Sequence, residues 1–431
     1  MSREMVNSGI PWIGDIPKSW RIIRNKNVFT NSKTLVGDAW NTTQLLSLTT
    51  KGIKAVSIGS TSGKVPDSYD TYQVVEKDNI VMCLFDLDCS AVFSGLSPIH
   101  GMISPAYKAL TVKNGFLPDF YAKWFDYIFD GRKFMFLSKN IRYSLTYDEF
   151  ASLQVVAPSL SEQQKIASFL DRKCAEIDEM IALQEKIVEE LTAYKQSVIT
   201  EAVTKGLNPD VPMKDSGIEW IGEIPEHWER IHFWKVNYIR GRLGWKGLKA
   251  DEYQEVGYPF LSAFNIIKDQ LDWSDVNYIS KERYDESPEI KLSTGDILIV
   301  KDGAGIGKCA RIDSLPKGEA TVNSSLAVIT PKYKVTYRFE YYFLLSAPFQ
   351  YVIWFLKIGM GVPHLTQENM RDIMMVCPTI KEQEQIADYL DSKCVEIDDL
   401  ISTKLSKIDS LKEYKKSIIY EYVTGKKEVT E

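Results

Sequence analysis

The sequence has few of the residues that a metal or redox site would need. Only four histidines and six cysteines occur among 431 residues, and no two cysteines form a CxxC pair. A zinc site needs Cys and His ligands clustered at short spacings, so a zinc-binding protein is not expected. We interpret the cysteines as buried free thiols of a reducing compartment.

Targeting segments are missing as well. No apolar run reaches the roughly eighteen residues that suggest a membrane span. The first residues, MSREMVNSGIPW, lack the apolar stretch of a secretory signal peptide. We therefore predict a cytoplasmic protein. A chain of 431 residues is too long for one ordinary hydrophobic core, so two or more domains are expected.

A strong positive charge is also absent. Lys and Arg number 52 against 58 Asp and Glu, which gives a net charge of −6. This balance argues against a simple basic DNA-binding protein. The acidic excess lies in residues 159–205, 206–228 and 379–426, whereas the remaining stretches are near neutral. Any contact with DNA must come from local basic clusters, and the affinity of this chain alone should be modest.

A tandem repeat organises the sequence. The segment IPWIGDIPKSW (10–20) recurs as IEWIGEIPEHW (218–228), and SEQQKIASFLDRKCAEIDEMI (161–181) recurs as KEQEQIADYLDSKCVEIDDLI (381–401). The two ends of each unit are alike, but the middles align poorly with each other. This pattern indicates one scaffold that is used twice and carries two different recognition segments.

Each repeat ends in a long predicted helix. No Gly or Pro occurs from 161 to 205, and Gly206 and Gly425 should end the two helices. Ser161, with Gln164 three residues later, has the spacing of a capping box. A helix of about 44 residues would span about 66 Å.

One apolar stripe runs along each predicted helix, at spacings of mostly three and four residues. The first stripe comprises Ile166, Leu170, Cys174, Ile177, Ile181, Val188, Leu191, Tyr194 and Val198. The second comprises Ile386, Leu390, Cys394, Ile397, Ile401, Ile408, Leu411, Tyr414 and Ile418. Equivalent units should return the chain to its start, so we predict an antiparallel coiled-coil pair with a pseudo-twofold axis. The alternative is two unrelated amphipathic helices on separate cores.

The rest of each unit reads as mixed α/β. Strands are predicted at NIVMCLF (79–85), DILIV (296–300) and SLAVI (325–329), and helices at 116–136 and 338–357. The segments LTYDEFASLQVVAP (145–158) and LTQENMRDIMMVCP (365–378) match each other, and each should end in a strand. The predicted domains are a first module (1–158), a long helix (159–205), a second module (206–378) and a second long helix (379–426).

A glycine-rich segment, DILIVKDGAGIGKCA (296–310), superficially resembles a phosphate-binding loop. The P-loop pattern fails because Asp302 replaces its first glycine and Cys309 its final Ser or Thr. The dinucleotide-binding pattern fails because Lys308 stands at its third glycine. We expect a hairpin or tight turn that needs positive φ angles.

No catalytic motif is complete. SPAY (104–107) is similar to the (N/D/S)PP(Y/F) motif of amino-methyltransferases, but Ala106 replaces the second proline. HExxH, GxSxG and carboxylates clustered with a nucleophile do not occur. We therefore expect a chain that is not an enzyme by itself.

Polar, basic and aromatic residues in predicted loops are candidates for contact with DNA. Arg and Lys can bind phosphates or guanine edges, and Asn can read adenine, although each could also be an ordinary solvated side chain. The candidates in the first module are Lys51, Lys54, Lys139, Asn140, Arg142 and Tyr143. Those in the second are Arg240, Arg242, Trp245, Lys246, Lys249, Lys301 and His364.

Taken together, these motifs resemble the specificity subunits of type I restriction–modification systems. The resemblance rests on the IPxxW starts, the GDIL-type strand, the loop before Leu-Thr, and the EQQKIASFLD and EQEQIADYLD helices. It covers nearly the whole chain, twice. It implies that residues 21–158 and 229–378 are target-recognition domains, each reading half of a bipartite DNA site.

The resemblance also implies partners and their cofactors. The long helices would act as a spacer that docks two methyltransferase subunits, which bind S-adenosylmethionine and methylate adenine at N6. Restriction subunits, a nuclease–translocase that uses ATP and Mg, would then join. The first module has EKDNIVMCLFD where the second has a GDIL-type run, so the half-sites should differ. Their centres should lie about 34 Å apart, one turn of DNA.

Two other classes of function remain open at this point. One is a protein scaffold that does not read DNA. The other is a stand-alone methyltransferase or nuclease, for which the sequence lacks the motifs.

Overall fold

A computed structural model describes the chain except residues 1–2, 33, 59–67, 131, 136–142, 243–247, 249, 304, 359–363 and 431. The contacts divide the chain into two compact units. Unit 1 comprises Met1–Glu185 and Ser406–Glu431, and unit 2 comprises Lys186–Leu405. Each unit thus contains one module and a part of each long helix. Among the described helices, none combines the length and the apolar character needed to cross a bilayer.

The helices differ greatly in length. They are α1 (Asn25–Val28), α2 (Pro118–Asp130), α3 (Tyr147–Ser152), α4 (Leu160–Lys205), α5 (Phe233–Val236), α6 (Lys281–Asp285), α7 (Tyr337–Leu345), α8 (Ala347–Ile358), α9 (Gln367–Arg371) and α10 (Ile380–Val423). The two predicted long helices, α4 and α10, have 46 and 44 residues, close to the expected length.

The described residues of unit 1 form twelve short strands in four small sheets, in the orders β1-β2, β6-β5-β10-β7, β4-β11-β8-β9 and β12-β3. The strands are β1 (Met5–Asn7), β2 (Asp15–Pro17), β3 (Arg21–Arg24), β4 (Phe29–Ser32), β5 (Leu45–Thr49), β6 (Gly52–Val56), β7 (Gln73–Val75), β8 (Ile80–Met82), β9 (Ser94–Leu96), β10 (Gly101–Ile103), β11 (Lys108–Val112) and β12 (Gln154–Ala157). The predicted strand at 79–85 corresponds to β8, whose residues are all buried.

Unit 2 has the sheet orders β13-β14, β15-β25, β16-β24-β21-β22, β20-β17-β23 and β18-β19. Its strands are β13 (Met213–Asp215), β14 (Glu223–Pro225), β15 (Glu229–His232), β16 (Asn237–Arg240), β17 (Tyr258–Leu261), β18 (Ile266–Ile267), β19 (Gln270–Leu271), β20 (Asn277–Ile279), β21 (Ile297–Val300), β22 (Cys309–Arg311), β23 (Thr321–Val322), β24 (Leu326–Pro331) and β25 (Met374–Cys377).

The two modules share one topology although their middles align poorly in sequence. The order β4-β11-β8-β9 in unit 1 matches β16-β24-β21-β22 in unit 2, with antiparallel pairing throughout. In the second sheet β5 pairs in parallel with β10, as β17 does with β23. The run EKDNIVMCLFD therefore supplies the same interior strand as the GDIL-type run. The mixed α/β fold is confirmed.

The predicted helix at 338–357 is interrupted, which the sequence did not indicate. It forms α7 and α8, separated at Ser346, whose backbone is extended. The side chain of Gln196 on α4 donates to the carbonyl of Leu345 at 2.7 Å, and Thr200 accepts from the amide of Ala347 at 3.0 Å. Since α4 replaces the hydrogen bonds that the break removes, the interruption is a product of tertiary packing.

The two long helices run antiparallel, as predicted. In unit 1 the Phe169 and Tyr422 rings lie 4.4 Å apart, and Lys415 binds Asp178 at 2.7 Å. From the ring contact to the ion pair, the residue number rises from 169 to 178 along α4 and falls from 422 to 415 along α10. The two helices therefore run in opposite directions. In unit 2 the equivalent ion pair joins Lys195 to Asp398 at 2.7 Å. Lys195 corresponds to Lys415, and Asp178 corresponds to Asp398, in the two copies of the sequence repeat.

Two predictions, one about the seam of these helices and one about the cysteines, need correction. Tyr194 and Tyr414 were assigned to the apolar seam, but they are 50% and 56% exposed. A tyrosine at a helical spacing can keep its hydroxyl in water, so spacing alone does not place it in a seam. Similarly, the cysteines are free thiols as expected, but Cys89 is exposed and only the others are buried.

The predicted capping box of α4 is wrong by two residues. Ser159 caps the helix: it accepts from the Glu162 amide at 3.3 Å, and the Glu162 carboxylate accepts from the Ser159 amide at 3.3 Å. Thr379 and Glu382 repeat this box at the start of α10. The predicted ends are confirmed, since Gly206 and Gly425 have φ angles of 78° and 73°.

A buried glutamine joins each long helix to its module. In unit 2 the Gln383 side chain donates to the carbonyls of Pro378 and Lys334 at 2.9 and 3.0 Å, and accepts from the Thr336 amide at 2.8 Å. In unit 1 Gln163 donates to Pro158 at 2.9 Å and accepts from Leu117 at 2.8 Å. Both glutamines are completely buried. The start of each long helix is thus part of the core of its module.

A tryptophan from the IPxxW segments completes each junction. Trp20 Nε1 donates to the Glu162 carboxylate at 3.1 Å, and Trp228 Nε1 donates to Glu382 at 3.4 Å. Arg3 also bonds Glu162, and His227 bonds Glu382 at 2.6 Å. These hydrogen bonds lower the pKa of both glutamates against the effect of their partial burial. The two repeated motifs therefore meet at the helix start.

The core of unit 2 contains a buried carboxyl group at a position where unit 1 has a tyrosine. Glu340 on α7 is completely buried, and its carboxylate accepts a hydrogen bond from Asn237 on β16. Burial raises the pKa of Glu340 to about 8, although the Asn237 bond opposes the rise. The equivalent positions in unit 1 hold Tyr121 and Phe29, whose rings pack edge to face 5.3 Å apart. Equivalent core positions are thus occupied by two aromatic rings in unit 1 and by a carboxyl and an amide group in unit 2.

We predict that Glu340 makes unit 2 less stable as pH rises. The folded state holds a proton up to about pH 8, whereas an unfolded glutamate loses it near its ordinary pKa, so stability falls between these values by up to about 1.4 kcal/mol per pH unit. Glu340→Gln should remove this dependence, and the exposed control Glu368→Gln should retain it. Urea unfolding from pH 5 to 8 measures both, and equal slopes in all three proteins would refute the assignment.

We also predict that loss of the junction glutamine destabilises the fold. Gln383→Met keeps the volume but leaves the Thr336 amide without its partner, which should cost about 2–3 kcal/mol of unfolding free energy. Gln385→Met, on the exposed face of the same helix, is the matched control and should change stability little. Urea unfolding of the full chain measures both variants. Equal stability of the two would show that the glutamine bonds contribute nothing net.

Candidate nucleic-acid interface

Two separate segments of unit 2 pair beyond the end of strand β21. Asp302, just after this strand, forms a β-bridge with His364, and the Leu365 amide donates to the Lys301 carbonyl at 2.9 Å. The imidazole of His364 bonds the Asp302 carboxylate. His364 is exposed and Lys301 is half-buried. Two of the predicted site residues, 63 positions apart in sequence, thus come together at one end of a sheet.

Unit 1 has the same pairing beyond the equivalent strand β8. The Leu145 amide donates to the Leu84 carbonyl at 2.7 Å, and the Leu87 amide donates to the carbonyl of Tyr143 at 3.1 Å. Tyr143 is exposed, with a positive φ of 44°. The segment that includes Tyr143 therefore corresponds to the segment that ends at His364. Tyr143 in unit 1 and the pair Lys301 and His364 in unit 2 therefore lie at equivalent places in the fold.

The Leu-Thr dipeptide common to both modules anchors these segments. Leu145 and Leu365 are buried. The threonines that follow are N-caps: Thr146 forms a capping box with Glu149 at the start of α3, and Thr366 forms one with Asn369 at the start of α9. A buried residue followed by a capped helix fixes the end of the preceding segment. This explains why a short motif recurs just after two loops of different sequence.

The glycine-rich segment is a turn, as predicted. It joins the antiparallel strands β21 and β22, and Gly303 and Gly307 have φ angles of 81° and 90°. A Cβ atom at Gly307 would stand 2.8 Å from the Ile353 side chain on α8, so the position also requires a small residue. The turn therefore packs on α8 beside the paired segments.

The two described arginines of the IRGRLGWKGLK segment point into the protein. Arg240 donates to the buried carboxylate of Asp296 and to Thr330, both at 2.8 Å, and to two backbone carbonyls. The Arg242 side chain is only 9% exposed, and its guanidinium lies 4.0 Å from the carboxylate of Glu286. These contacts give both arginines a structural role, and a DNA contact by either stays a prediction.

Lys51 and Lys54 lie on the β5–β6 hairpin, apart from the paired segments. Both are exposed. The residues that flank Lys51 line a cavity of about 380 Å³ whose other wall includes Lys123 on α2 and Asp171 on α4. Lys123 and Asp171 form an ion pair at 3.0 Å. Among the described residues, no hydrogen bond joins either hairpin lysine to Tyr143.

The remaining candidates from the sequence lie outside the described residues. They are Lys139, Asn140, Arg142, Trp245, Lys246 and Lys249. One residue that the sequence did not single out supports the unit 1 site: Arg132 donates to the carbonyls of Leu87 and Ser90 at 2.7 and 3.4 Å. A lone arginine after a helix carries no sequence signal for such a role. In the part of the chain that the structure describes, no three His, Cys, Asp or Glu residues are grouped to hold a metal ion.

Comparisons with known proteins agree with this organisation. Residues 244–410 match a family model described as the type I restriction modification DNA specificity domain. The MjaVIII type I restriction enzyme specificity subunit of Methanocaldococcus jannaschii is 25% identical over 371 residues, which cover 82% of this chain and 80% of that protein. The EcoBI specificity subunit of Escherichia coli is 25% identical over 59% of this chain and 55% of its own length.

Two solved structures share the fold. A chain from a structural study of complex assembly and conformational transition in a type I R-M system has a TM-score of 0.72 at 14% identity, covering 95% of this chain and 99% of that one. The HsdS subunit from Thermoanaerobacter tengcongensis has a TM-score of 0.51 at 14% identity, covering 95% and 98%. The family model thus covers part of the second module and of the second long helix, and the chain is similar to specificity subunits of type I restriction–modification systems over most of its length.

Proposed function

We propose that each module reads one half of an asymmetric, bipartite DNA site. The observation that carries this proposal is the pair of segments beyond β8 and beyond β21. The two pairs of segments occupy equivalent positions in the shared fold. Tyr143 belongs to the pair in unit 1, whereas Lys301 and His364 belong to the pair in unit 2. Side chains with different hydrogen-bonding groups favour different base edges, so two unlike half-sites are expected.

The chain directs chemistry that its partners perform. As a specificity subunit it is a non-catalytic component of its complex. Two methyltransferase subunits would bind S-adenosylmethionine and methylate adenine at N6, and restriction subunits would use ATP and Mg to translocate and cut. Exposed residues on the long helices, including Tyr194 and Tyr414, offer a surface on which the methyltransferases could dock. We expect the complex to act in the cytoplasm.

The test is base-resolution sequencing of adenine methylation in cells that express this chain with its methyltransferase. A bipartite motif should appear that is absent when either protein is omitted. Replacing residues 21–158 with another recognition module should change one half of that motif and leave the other half unchanged. An unchanged motif would favour a scaffold that does not read DNA, and methylation by this chain alone would favour an independent enzyme.

We further predict that the long helices set the number of unspecified bases between the half-sites. Seven residues inserted after Glu185 and seven after Leu405, which are equivalent positions of the repeat, would lengthen each helix by about 10.5 Å. This corresponds to about three base pairs of DNA. The methylated motif should keep both half-sites and gain a longer gap. Substituting seven residues without a change of length is the control, and an unchanged gap in the longer variant would refute the spacer role.

A further inference from the structure

An exposed group of aromatic and basic side chains lies on unit 2, at the far end of the short helix α9 from the segments that pair beyond β21. We call it the Trp234 surface, and it comprises Trp234, Lys235, Tyr238, Lys332 and Arg371. Trp234 on α5 is 41% exposed, and Tyr238 on β16 is 62% exposed. Single exposed rings are ordinary on protein surfaces, but these two are joined by Lys332, which contacts both of their residues. The clustering of rings with basic groups, and not exposure alone, makes this surface a candidate binding site.

Each ring of this surface carries a cation on its face. The Lys332 ammonium lies 4.3 Å from the centre of the Tyr238 ring. The Arg371 guanidinium and the Lys235 ammonium each lie 5.8 Å from the centre of Trp234. Lys332 Nζ also donates to the Trp234 carbonyl at 3.0 Å. The rings hold the basic groups in place and leave their other N–H bonds free to bind an anion.

Several basic groups of unit 2 have acidic partners, whereas the described part of the chain provides none for the cations of this surface. Arg283 and Arg338, for example, bind Glu252 and Asp391 directly. Among the described residues, no ion pair joins a carboxylate to Lys235, Lys332 or Arg371, although α9 carries one acidic residue, Glu368. Three unpaired cations on two exposed rings form a site that favours a polyanion.

The position of the surface indicates which polyanion. Helix α9 packs beside β16 and α5, and it begins three residues after His364. Its first residue, Gln367, lies against Gly241 just beyond β16, and its last residue, Arg371, lies over Trp234. The Trp234 surface is thus reached directly from the paired segments along one short helix. A DNA duplex held by those segments would present its phosphates to it.

Module 1 keeps the frame of this surface without its rings. The Lys113 ammonium donates to the Lys26 carbonyl at 2.7 Å, just as Lys332 donates to Trp234. Lys26 and Thr30 occupy the positions of Trp234 and Tyr238, and a buried Ala151 occupies that of Arg371. The aromatic and guanidinium groups are therefore a property of the second module and are not needed for the shared fold.

We propose that the Trp234 surface binds the phosphate backbone of the DNA beside the half-site that module 2 reads. It then supplies affinity that does not depend on base sequence, because phosphates carry no sequence information directly. The inference rests on the proposed function, since it needs a DNA duplex at the adjoining segments. It assigns to module 2 a larger share of the salt-dependent binding than to module 1.

The test is DNA binding by the complex of this chain with its methyltransferase, at several salt concentrations, on duplexes with and without the methylated motif. Lys332→Gln with Arg371→Gln should weaken binding to both duplexes roughly tenfold and reduce the salt slope by about 2. The methylated motif should stay the same. Lys332→Arg with Arg371→Lys keeps the charges and should retain the slope. Lys281→Gln with Lys317→Gln removes the same charge elsewhere and should change little.

Several outcomes would overturn the proposal. An unchanged salt slope in the first double variant would show that no phosphate is bound there. Failure of that variant to join the methyltransferase, with unaltered DNA affinity of the free chain, would make the surface a protein-docking site. Neither result touches the proposed function, which instead fails if exchange of a module leaves the motif unchanged.

Discussion

The buried glutamine at the start of each long helix is the contact on which the architecture depends. Gln163 and Gln383 bond a carbonyl before the helix and an amide of the module, so the helix cannot turn relative to its module without breaking several buried bonds. The chain between the helix and the candidate DNA-contacting segment is short and regular, comprising a strand, a one-turn helix and the Leu-Thr anchor. The glutamine therefore fixes the direction of the helix and the position of the segment together.

Much of this organisation could be predicted from the sequence because the relevant signals are local or repeated. The long helices, their glycine ends and the turn at Gly303–Gly307 all follow from residue type and spacing. The predicted cap failed because Ser159 with Glu162 and Ser161 with Gln164 give overlapping patterns. Trp20 distinguishes them by bonding Glu162. The break between α7 and α8 could not be predicted either, since side chains of α4 stabilise it.

The candidate site could be predicted from the sequence much less well than the fold. Composition brought Arg240 and Arg242 forward together with Lys301 and His364, but the arginines turn toward protein carboxylates. Arginine is as well suited to a buried aspartate as to a phosphate, so its presence in a basic segment does not tell which anion it binds. The partner that decides the matter for Arg240 is Asp296, 56 residues away in sequence. Only the fold brings the two together.

The contacts that hold the fold are shared by the two modules, whereas other core and surface positions differ between them. The glutamine joint, the tryptophan–glutamate bond and the Leu-Thr anchor occur in both units. The core positions of Tyr121 and Phe29 in one module are those of Glu340 and Asn237 in the other, and Lys26 gives way to Trp234 on the surface. Each module has its own hydrophobic core, so these exchanges need compensation only within one module. The surfaces proposed to read DNA can then diverge independently while the helices and their joints stay unchanged.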